Sequence, residues 1–198
     1  MQSKIRKQNK HYLPASWQIL EQNWNRGAIN CYSPFLLMNY GKRFENNFKS
    51  SIPSSVYLYR LKDGSSSWGG NEKVRFQPKN VCDFIMYSYP FLFMLELKST
   101  KSKSLPLSNI KENQIKGLNE AVKYNGIISG LLIEFREPEK VYFLDINTLI
   151  IFLNRSQRKS IPISFLEKEG IEIETMKKKI NYKFNVEKMI KDVINGRK

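Results

Sequence analysis

The sequence of 198 residues has little of what several common classes of site require. A single histidine, His11, excludes a histidine-ligated zinc site and a Ser-His-Asp triad. Two cysteines, Cys31 and Cys82, are too few for a disulfide framework and indicate reduced thiols in a cytosol. No apolar run reaches the roughly 18 residues of a membrane span, and the basic N-terminus lacks the apolar core of a signal peptide. We therefore expect a cytoplasmic protein that does not cross a membrane.

Acidic residues are also scarce, and this imbalance indicates the kind of partner. The chain has 18 Asp and Glu against 33 Lys and Arg, which gives a formal net charge of +15. Such a charge predicts attraction to a polyanion, either nucleic acid or an anionic membrane surface. Hydrophobic residues make up 41% of the chain and aromatic residues 13%, which is enough for a folded domain with its own core.

The most informative stretch is residues 81–98, VCDFIMYSYPFLFMLELK. Two runs rich in Phe, Met, Leu, Ile and Val flank a Ser-Tyr-Pro break, which predicts two strands of a buried hairpin. Three charged residues, Asp83, Glu96 and Lys98, interrupt these runs. Because a charge in a buried strand is costly unless it is paired or bound, these three residues are candidates for a site.

A turn centred on Tyr89 and Pro90 places Asp83 opposite Glu96 in the antiparallel pair. Opposed residues have Cβ atoms about 5 Å apart, where two carboxylates repel each other. We interpret the pair as ligands of a hard divalent cation, Mg2+ with Mn2+ as a substitute, because these ions prefer oxygen. Lys98 points to the same face as Glu96, and we expect it to steady a nucleophilic water or the transition-state charge of phosphodiester hydrolysis.

The order of these residues, Asp, a gap of about a dozen residues and then Glu-x-Lys, resembles the motif of the PD-(D/E)xK nuclease superfamily. Glu96 and Lys98 also fit an exposed edge strand that carries an ordinary charge pair. The motif alone does not separate these two interpretations, so the rest of the chain has to decide.

Patterns elsewhere predict one mixed α/β sheet with helices on its faces, preceded by a basic arm and a weak helix at residues 1–32. The domain at 33–198 starts with a helix at 34–50, on which Glu45 is expected to be a solvated glutamate, and a strand at 56–61. Further predicted elements are a helix at 110–125, strands at 127–135 and 140–146, a helix at 147–155, a helical turn ended by Gly170 and a final helix at 186–195.

Two further segments are polar and basic. The Gly- and Ser-rich loop at 62–80 is either a DNA-contacting segment or a flexible connector, and its candidate contacts are Trp68, Lys73 and Arg75. The segment that follows the Glu-x-Lys sequence carries Lys101 and Lys103 beside the presumed metal site.

With these segments in view, the chain resembles the RecU family of Holliday-junction resolvases within the PD-(D/E)xK superfamily, from about Asn39 to Ile194. The most specific similarity is ELKSTKSKSLPLSNIKENQ, residues 96–114, because the family carries a similar Glu-x-Lys, Thr-Lys-x-Lys, Pro-Leu-x-Asn and a helix with a Gln. Residues 39–45, NYGKRFE, resemble the family's Asn-Arg-Gly segment, which ends in an acidic residue on the first helix.

The resemblance implies a restriction-endonuclease-like core in which Glu45 joins Asp83 and Glu96 at the metal, Lys98 is the catalytic lysine and Gln114 supports the site. It also implies a homodimer in a bacterial or phage-infected cell, because two sites related by a two-fold axis suit a four-way junction. Tyr40 departs from the family's usual arginine, so one phosphate contact is either absent or supplied by Lys42 or Arg43. The stretch that forms a projecting stalk in the family is shorter here and richer in glycine.

We therefore expect a Mg2+-dependent endonuclease that cuts four-way junctions symmetrically in DNA recombination or repair. The alternatives are a restriction-type or nicking nuclease on duplex DNA and a catalytically silent junction-binding protein. The expected DNA contacts are the basic and polar residues around the site, namely Lys42, Arg43, Trp68, Lys73, Arg75, Thr100, Lys101, Lys103, Arg155, Arg158 and Lys159.

Overall fold

The computed structural model describes residues 39–61, 80–178 and 181–196. The helices of this part are α1 (Tyr40–Ser51), α2 (Glu112–Ala121), α3 (Ile146–Arg155), α4 (Ile163–Glu169) and α5 (Val186–Asn195). The strands are β1 (Tyr57–Arg60), β2 (Phe84–Ser88), β3 (Phe91–Thr100), β4 (Ser104–Pro106), β5 (Ile127–Phe135), β6 (Lys140–Asp145), β7 (Ser160–Pro162), β8 (Ile171–Ile173), β9 (Thr175–Lys178) and β10 (Asn181–Phe184).

A six-stranded sheet in the order β1-β2-β3-β5-β6-β8 forms the centre of the fold. Strands β3 and β5 run parallel, and every other neighbouring pair in this sheet is antiparallel. Because parallel neighbours need a crossover connection, α2 lies between β3 and β5 in the chain and packs against β5. The mixed α/β sheet predicted from the sequence is confirmed.

The hairpin of β2 and β3 has the register that the Ser-Tyr-Pro break predicts. Phe84 pairs with Leu95 and Ser88 pairs with Phe91, so the turn is centred on Tyr89 and Pro90. Side chains at alternate positions of a strand face opposite sides of the sheet. Phe93, Leu95 and Leu97 therefore pack into one core layer, while Glu96 and Lys98 face the other side.

Helices cover both faces of the sheet, and each face has its own apolar core. On one face, Phe44 and Phe48 of α1 pack with Phe84 of β2, with 5.8 Å between the ring centroids of Phe48 and Phe84. Helix α5 packs on this same face. On the other face, α2, α3 and α4 bury Leu118, Leu149 and Leu166 against strands β5 and β6. The two apolar layers hold the central strands in place from both sides.

A glycine lets α2 lie close to the segment that leads into β2. A Cβ atom built on Gly117 would stand 1.6 Å from Cγ1 of Val81, so a larger residue cannot occupy this position without a shift of the chain. Asn113 of the same helix donates to the Asn80 carbonyl at 3.1 Å. These contacts fix helix α2 beside the segment that leads to Asp83, which lies three residues after Asn80.

Several boundaries and small elements differ from the predictions. Helix α1 begins at Tyr40, because Asn39 is extended and its side chain accepts the Lys42 N–H at 3.0 Å. Helix α3 begins at Ile146, one residue before the predicted start, and Asp145 caps it by accepting the Asn147 N–H at 2.8 Å. The patterns did not predict the β4–β7 ladder or the β9–β10 hairpin, whose strands are only three or four residues long.

The predicted arm and weak helix at 1–32 and the loop at 62–80, apart from Asn80, lie outside the described residues. Within the described ranges, no helix is long and apolar enough to cross a membrane.

Candidate active site

The hairpin brings the carboxylates of Asp83 and Glu96 to neighbouring positions on one face of the sheet. Asp83 directly precedes β2, and its N–H donates to the Leu95 carbonyl at 3.1 Å, which continues the ladder by one residue. Its Oδ2 accepts the Leu97 N–H at 2.8 Å. This contact with the partner strand holds the Asp83 carboxylate beside Glu96.

Glu96 is a buried carboxylate whose two oxygen atoms have different surroundings. Its side chain is 2% exposed, and Oε1 contacts Lys98 Nζ at 2.7 Å and accepts from Gln114 Nε2 at 2.6 Å. The other oxygen, Oε2, is covered and has no hydrogen-bond partner among the described residues. A buried acceptor without a partner is costly, so the arrangement leaves one oxygen for a ligand.

Gln114 connects Glu96 to the start of α2. The residue is 7% exposed, and its Oε1 accepts both the Lys111 N–H at 3.0 Å and the Lys98 ammonium at 3.3 Å. Since a backbone N–H can only donate, these contacts fix which end of the amide is the oxygen. The Gln114 amide therefore holds Glu96 and Lys98 at once.

The electrostatics of the pair favour the neutral carboxyl forms. Burial raises the pKa of Glu96 to about 7, the charge of Asp83 adds to this effect, and Lys98 and Gln114 oppose it. Burial also raises the pKa of Asp83, the Leu97 N–H opposes the rise, and the charge of Glu45 reinforces it. Burial beside both acids raises the pKa of the Cys82 thiol to about 12, so this thiol is not a nucleophile.

Glu45 lies on α1 near the pair and contacts an arginine that the sequence analysis did not single out. Its Oε2 is 2.6 Å from Nε of Arg60 on β1. Within the described part of the chain, no group of three or more His, Cys, Asp or Glu residues stands close enough to hold a metal ion. The structure therefore brings Asp83, Glu96, Lys98 and Gln114 together and pairs Glu45 with Arg60.

The β4–β7 ladder places two of the predicted basic segments at its opposite ends. The Ile163 N–H donates to the Lys103 carbonyl at 2.9 Å, and the Leu107 N–H donates to the Lys159 carbonyl at 3.0 Å. Because the two strands are antiparallel, Lys103 lies at one end of the ladder, and Lys159 with Arg158 lies at the other. This placement could not be predicted from the sequence, because it depends on a long-range pairing of two short polar strands.

The other predicted DNA contacts have varied surroundings. The Thr100 hydroxyl is buried and contacts the Ser104 carbonyl at 3.2 Å, which indicates a structural role. Lys101 is exposed and lies 3.7 Å from Glu137. Arg155 ends α3, and Lys42 and Arg43 lie in the first turn of α1. Trp68, Lys73 and Arg75 lie outside the described residues.

Comparisons with known proteins agree on one family. The model of the RecU family, described as Recombination protein U, matches residues 48–188. The SPbeta prophage-derived uncharacterized protein YotM of Bacillus subtilis is 39% identical over 172 residues, which cover 79% of this chain and 87% of that protein. The Holliday junction resolvase RecU of a Geobacillus species is 36% identical over 122 residues, or 60% of each protein.

Two further proteins extend the comparison. The Holliday junction resolvase RecU of Staphylococcus aureus strain MRSA252 is 30% identical over 145 residues, which cover 71% of this chain and 69% of that protein. A solved structure of Hjc, a Holliday junction resolvase from Archaeoglobus fulgidus, covers 60% of this chain and 83% of its own at 14% identity and a TM-score of 0.41.

The mixed sheet with Asp83 beside Glu96-x-Lys98 defines an α/β protein with a core of the PD-(D/E)xK nuclease type. Because the family model matches most of the chain, the protein belongs to the RecU family. The resemblance described from the sequence is confirmed. The matched residues include Asp83, Glu96, Lys98 and Gln114, whereas Glu45 precedes them.

Proposed function

We propose that this protein is a divalent-metal-dependent endonuclease that resolves four-way DNA junctions. The observation that carries the proposal is the buried Glu96 carboxylate, which is paired with Lys98, stands beside Asp83 and has one oxygen without a partner among the described residues. Membership of the RecU family supports the junction as substrate, since the Geobacillus and Staphylococcus relatives carry the name Holliday junction resolvase.

The residues present fit a hard divalent cation, Mg2+ with Mn2+ as a substitute. Asp83 and Glu96 supply carboxylate oxygens only, which is the donor set that these ions prefer. A bound cation would offset the burial that raises both pKa values and the repulsion from Asp83 that adds to the rise at Glu96. We propose that Asp83 and Glu96 hold the cation and that Glu45 joins them after its ion pair with Arg60 opens.

When bound, such a cation supplies Lewis-acid stabilisation of the charge that develops on the phosphoryl oxygens. In this proposal, the Lys98 ammonium orients the attacking water and stabilises the same developing charge. Gln114 keeps the Lys98 and Glu96 side chains in place through its two contacts, 3.3 Å and 2.6 Å long. Asp83 remains aligned because the Leu97 N–H holds its second oxygen.

Basic side chains on both sides of the site would track the DNA backbone. Lys103 precedes β4, and Arg158 and Lys159 precede β7 at the opposite end of the same ladder, and we propose them as phosphate contacts with Lys101 and Arg155. On α1, Lys42 and Arg43 would contact the backbone from the other face of the sheet. Since such contacts read charge and shape, selectivity for the branched structure over base sequence is expected. The roles of Trp68, Lys73 and Arg75 remain predictions.

We further propose that the active form is a homodimer that works on bacterial or phage DNA in the cytoplasm. A two-fold axis would set two identical sites on strands of like polarity, which a symmetric resolution of a four-way junction requires. Because bacterial or phage DNA is the proposed substrate, we place the action of the protein in the cytoplasm.

The test is a cleavage assay on a synthetic four-way junction and on a linear duplex of matching sequence, each with Mg2+. We expect paired symmetric nicks in the junction only, and no nicks from Asp83→Asn, because this variant lacks one of the two facing carboxylates. Cutting of both substrates would instead indicate a restriction-type or nicking nuclease. Tight junction binding by the wild type without cutting, even in Mn2+, would contradict an enzymatic role.

A further inference from the structure

Tyr40, at the start of α1, lies between two guanidinium groups. The guanidinium carbon of Arg136 is 3.9 Å from the centre of the Tyr40 ring, and that of Arg43 is 5.2 Å from it. Both distances fall within the range of cation–π attraction. The ring is 39% exposed, so this stack of two cations and one aromatic ring reaches the surface of the protein.

Arg136 is held in place by its backbone, while its side chain has unused hydrogen-bonding capacity. The residue follows β5 directly, and its N–H donates to the Thr100 carbonyl at 3.0 Å. Its guanidinium makes no ion pair or hydrogen bond with any described residue, and its covered Nε has no acceptor there. By contrast, the nearby Lys140 contacts Glu172 at 3.3 Å and Lys177 contacts Glu139 at 2.6 Å.

The buried carboxylate near the stack, Glu134, makes no ion pair with Arg136. Glu134 of β5 is 4% exposed and accepts the Ser99 hydroxyl at 2.5 Å. Burial raises the pKa of this carboxyl group, and the Ser99 hydroxyl and the positive charges of Arg43 and Arg136 oppose the rise. The Arg136 guanidinium therefore keeps its hydrogen-bonding capacity for an additional anion.

The stack stands at the same end of the sheet as the candidate active site. Thr100, which binds the Arg136 N–H, is two residues beyond Lys98 on β3, a distance of about 7 Å along a strand. Tyr40 and Glu45 share α1, five residues apart, which is about 7.5 Å along a helix. The stack lies on the α1 face of the sheet, opposite to Glu96 and Lys98, so an anion bound by Arg136 would belong to DNA that extends from the active site past this end of the sheet.

We propose that Arg136, stacked on Tyr40 beside Arg43, binds a backbone phosphate of the bound DNA. The inference rests on the proposed function and names a contact that the sequence analysis did not assign. Tyr40 positions the Arg136 guanidinium through its ring, and its hydroxyl has no part in the contact.

A purely structural role is the competing explanation, since the stack also fastens α1 to the end of β5. The two explanations differ in the salt dependence of DNA binding. Each phosphate contact releases condensed counterions, so losing one contact changes the slope of log K against log salt by about 0.9. Losing a structural stack lowers thermal stability and leaves this slope as it is.

The experiment measures binding of a fluorescent four-way junction in Ca2+ at several KCl concentrations, for the wild type and Arg136→Gln. We expect the variant to bind roughly tenfold more weakly at low salt and its slope to be smaller by about 0.9. The matched control is Lys168→Gln on α4, which removes one charge from a lysine whose side chain is 81% exposed and should leave the slope unchanged. If Arg136→Gln lowers the Tm, the measurement is repeated with Arg136→Met, which keeps the apolar part of the side chain.

A rescue experiment makes the test more specific. In the Arg136→Gln background, Tyr40→Arg should restore the wild-type slope, while Tyr40→Phe in the native background should leave binding unchanged. An Arg136→Gln slope equal to that of the wild type overturns the phosphate contact and leaves only the structural role. If the wild type itself fails to bind the junction, the proposed function is overturned, and this inference with it.

Discussion

Glu96 on β3 and Glu134 on β5 are buried glutamates on adjacent parallel strands, but the hydrogen bonds and charges around their carboxylates differ. Burial raises the pKa of both carboxyl groups. Glu134 has the Ser99 hydroxyl and the charges of Arg43 and Arg136 to offset its burial. Glu96 has Lys98 and Gln114, but it also faces the repulsion of Asp83.

The two sites differ in the charge of the ligand that each of them can still bind. Beside Glu134, the covered Nε of Arg136 has no acceptor among the described residues, so the surroundings of Glu134 suit an anion. The charges of Asp83 and Glu96 exceed the single charge of Lys98, and Glu96 Oε2 has no donor among the described residues. One face of the sheet end therefore suits a cation and the other suits a phosphate, which together are the two needs of a metal-dependent nuclease.

The largest effect that would test this comparison is on cleavage. We expect Glu96→Gln to reduce junction cleavage in Mg2+ on the order of a thousandfold, because losing a metal ligand removes several kcal/mol of transition-state stabilisation. Glu134→Gln keeps the metal ligands, and we expect its effect to appear in junction binding and its salt dependence. Single-turnover cleavage rates and binding in Ca2+ measure the two quantities separately.

The matched control for the Glu96 variant is Glu172→Gln on β8. This carboxylate contacts Lys140 at 3.3 Å on the far edge of the same sheet, and we expect unchanged cleavage. A Glu96→Gln enzyme that cuts at a rate within tenfold of the wild type would contradict the metal-ligand role.

A smaller effect concerns the ion pair between Glu45 and Arg60. If Glu45 joins the metal only after this pair opens, Arg60→Gln should lower the Mg2+ concentration for half-maximal cleavage by about threefold to tenfold, since an ion pair of partly exposed groups is worth about 1 kcal/mol. Glu45→Gln should raise the same concentration. Titration of Mn2+ binding by calorimetry gives a readout that does not depend on catalysis.

The result that would count against this role of Glu45 is equal metal dependence in all three proteins. Glu45 would then be a structural partner of Arg60, which is closer to the solvated glutamate that its sequence surroundings predict.

The arrangement of Asp83 and Glu96 could be predicted from the sequence, because it depends on the register of a single hairpin. A Ser-Tyr-Pro break between two apolar runs sets the hairpin register, and this register alone brings Asp83 and Glu96 together. The final helix was also predictable, since Val186, Met189, Ile190 and Val193 repeat at helical spacing and form its buried stripe.

The surroundings of the proposed DNA contacts depend on distant parts of the chain. Such long-range contacts leave no recognisable pattern in the sequence. Arg60 and Arg136 read as ordinary charges near strand ends, and their partners Glu45 and Tyr40 lie 15 and 96 positions away. The β4–β7 ladder pairs three-residue strands, which carry too few residues for a period of two to be recognised. Only the folded structure shows which residues these cations contact.

A separate effect is expected on stability as a function of pH, and it distinguishes the two glutamates by their response to metal. Both pKa values are raised in the folded protein, Glu96 from 4.5 to about 7, so the folded state binds protons more readily than the unfolded chain. For Glu96, the resulting stability is present below pH 4.5 and is lost as the pH rises through about 7. We expect this loss to be about 3 kcal/mol, or roughly 6–12 °C in Tm.

Thermal unfolding of the metal-free protein from pH 4.5 to 8 measures this loss as the difference between the wild type and Glu96→Gln. Mg2+ binds the ionised carboxylates, so it should restore stability to the wild type at pH 8 and reverse the sign of the pH dependence that Glu96 contributes. The contribution of Glu134, obtained from Glu134→Gln, should keep its sign with or without Mg2+, because its partners are built into the protein. A Glu134 contribution that also reversed with Mg2+ would show that the two ends of the sheet are not electrostatically separate, and the assignment of one face to a cation and the other to a phosphate would then be wrong.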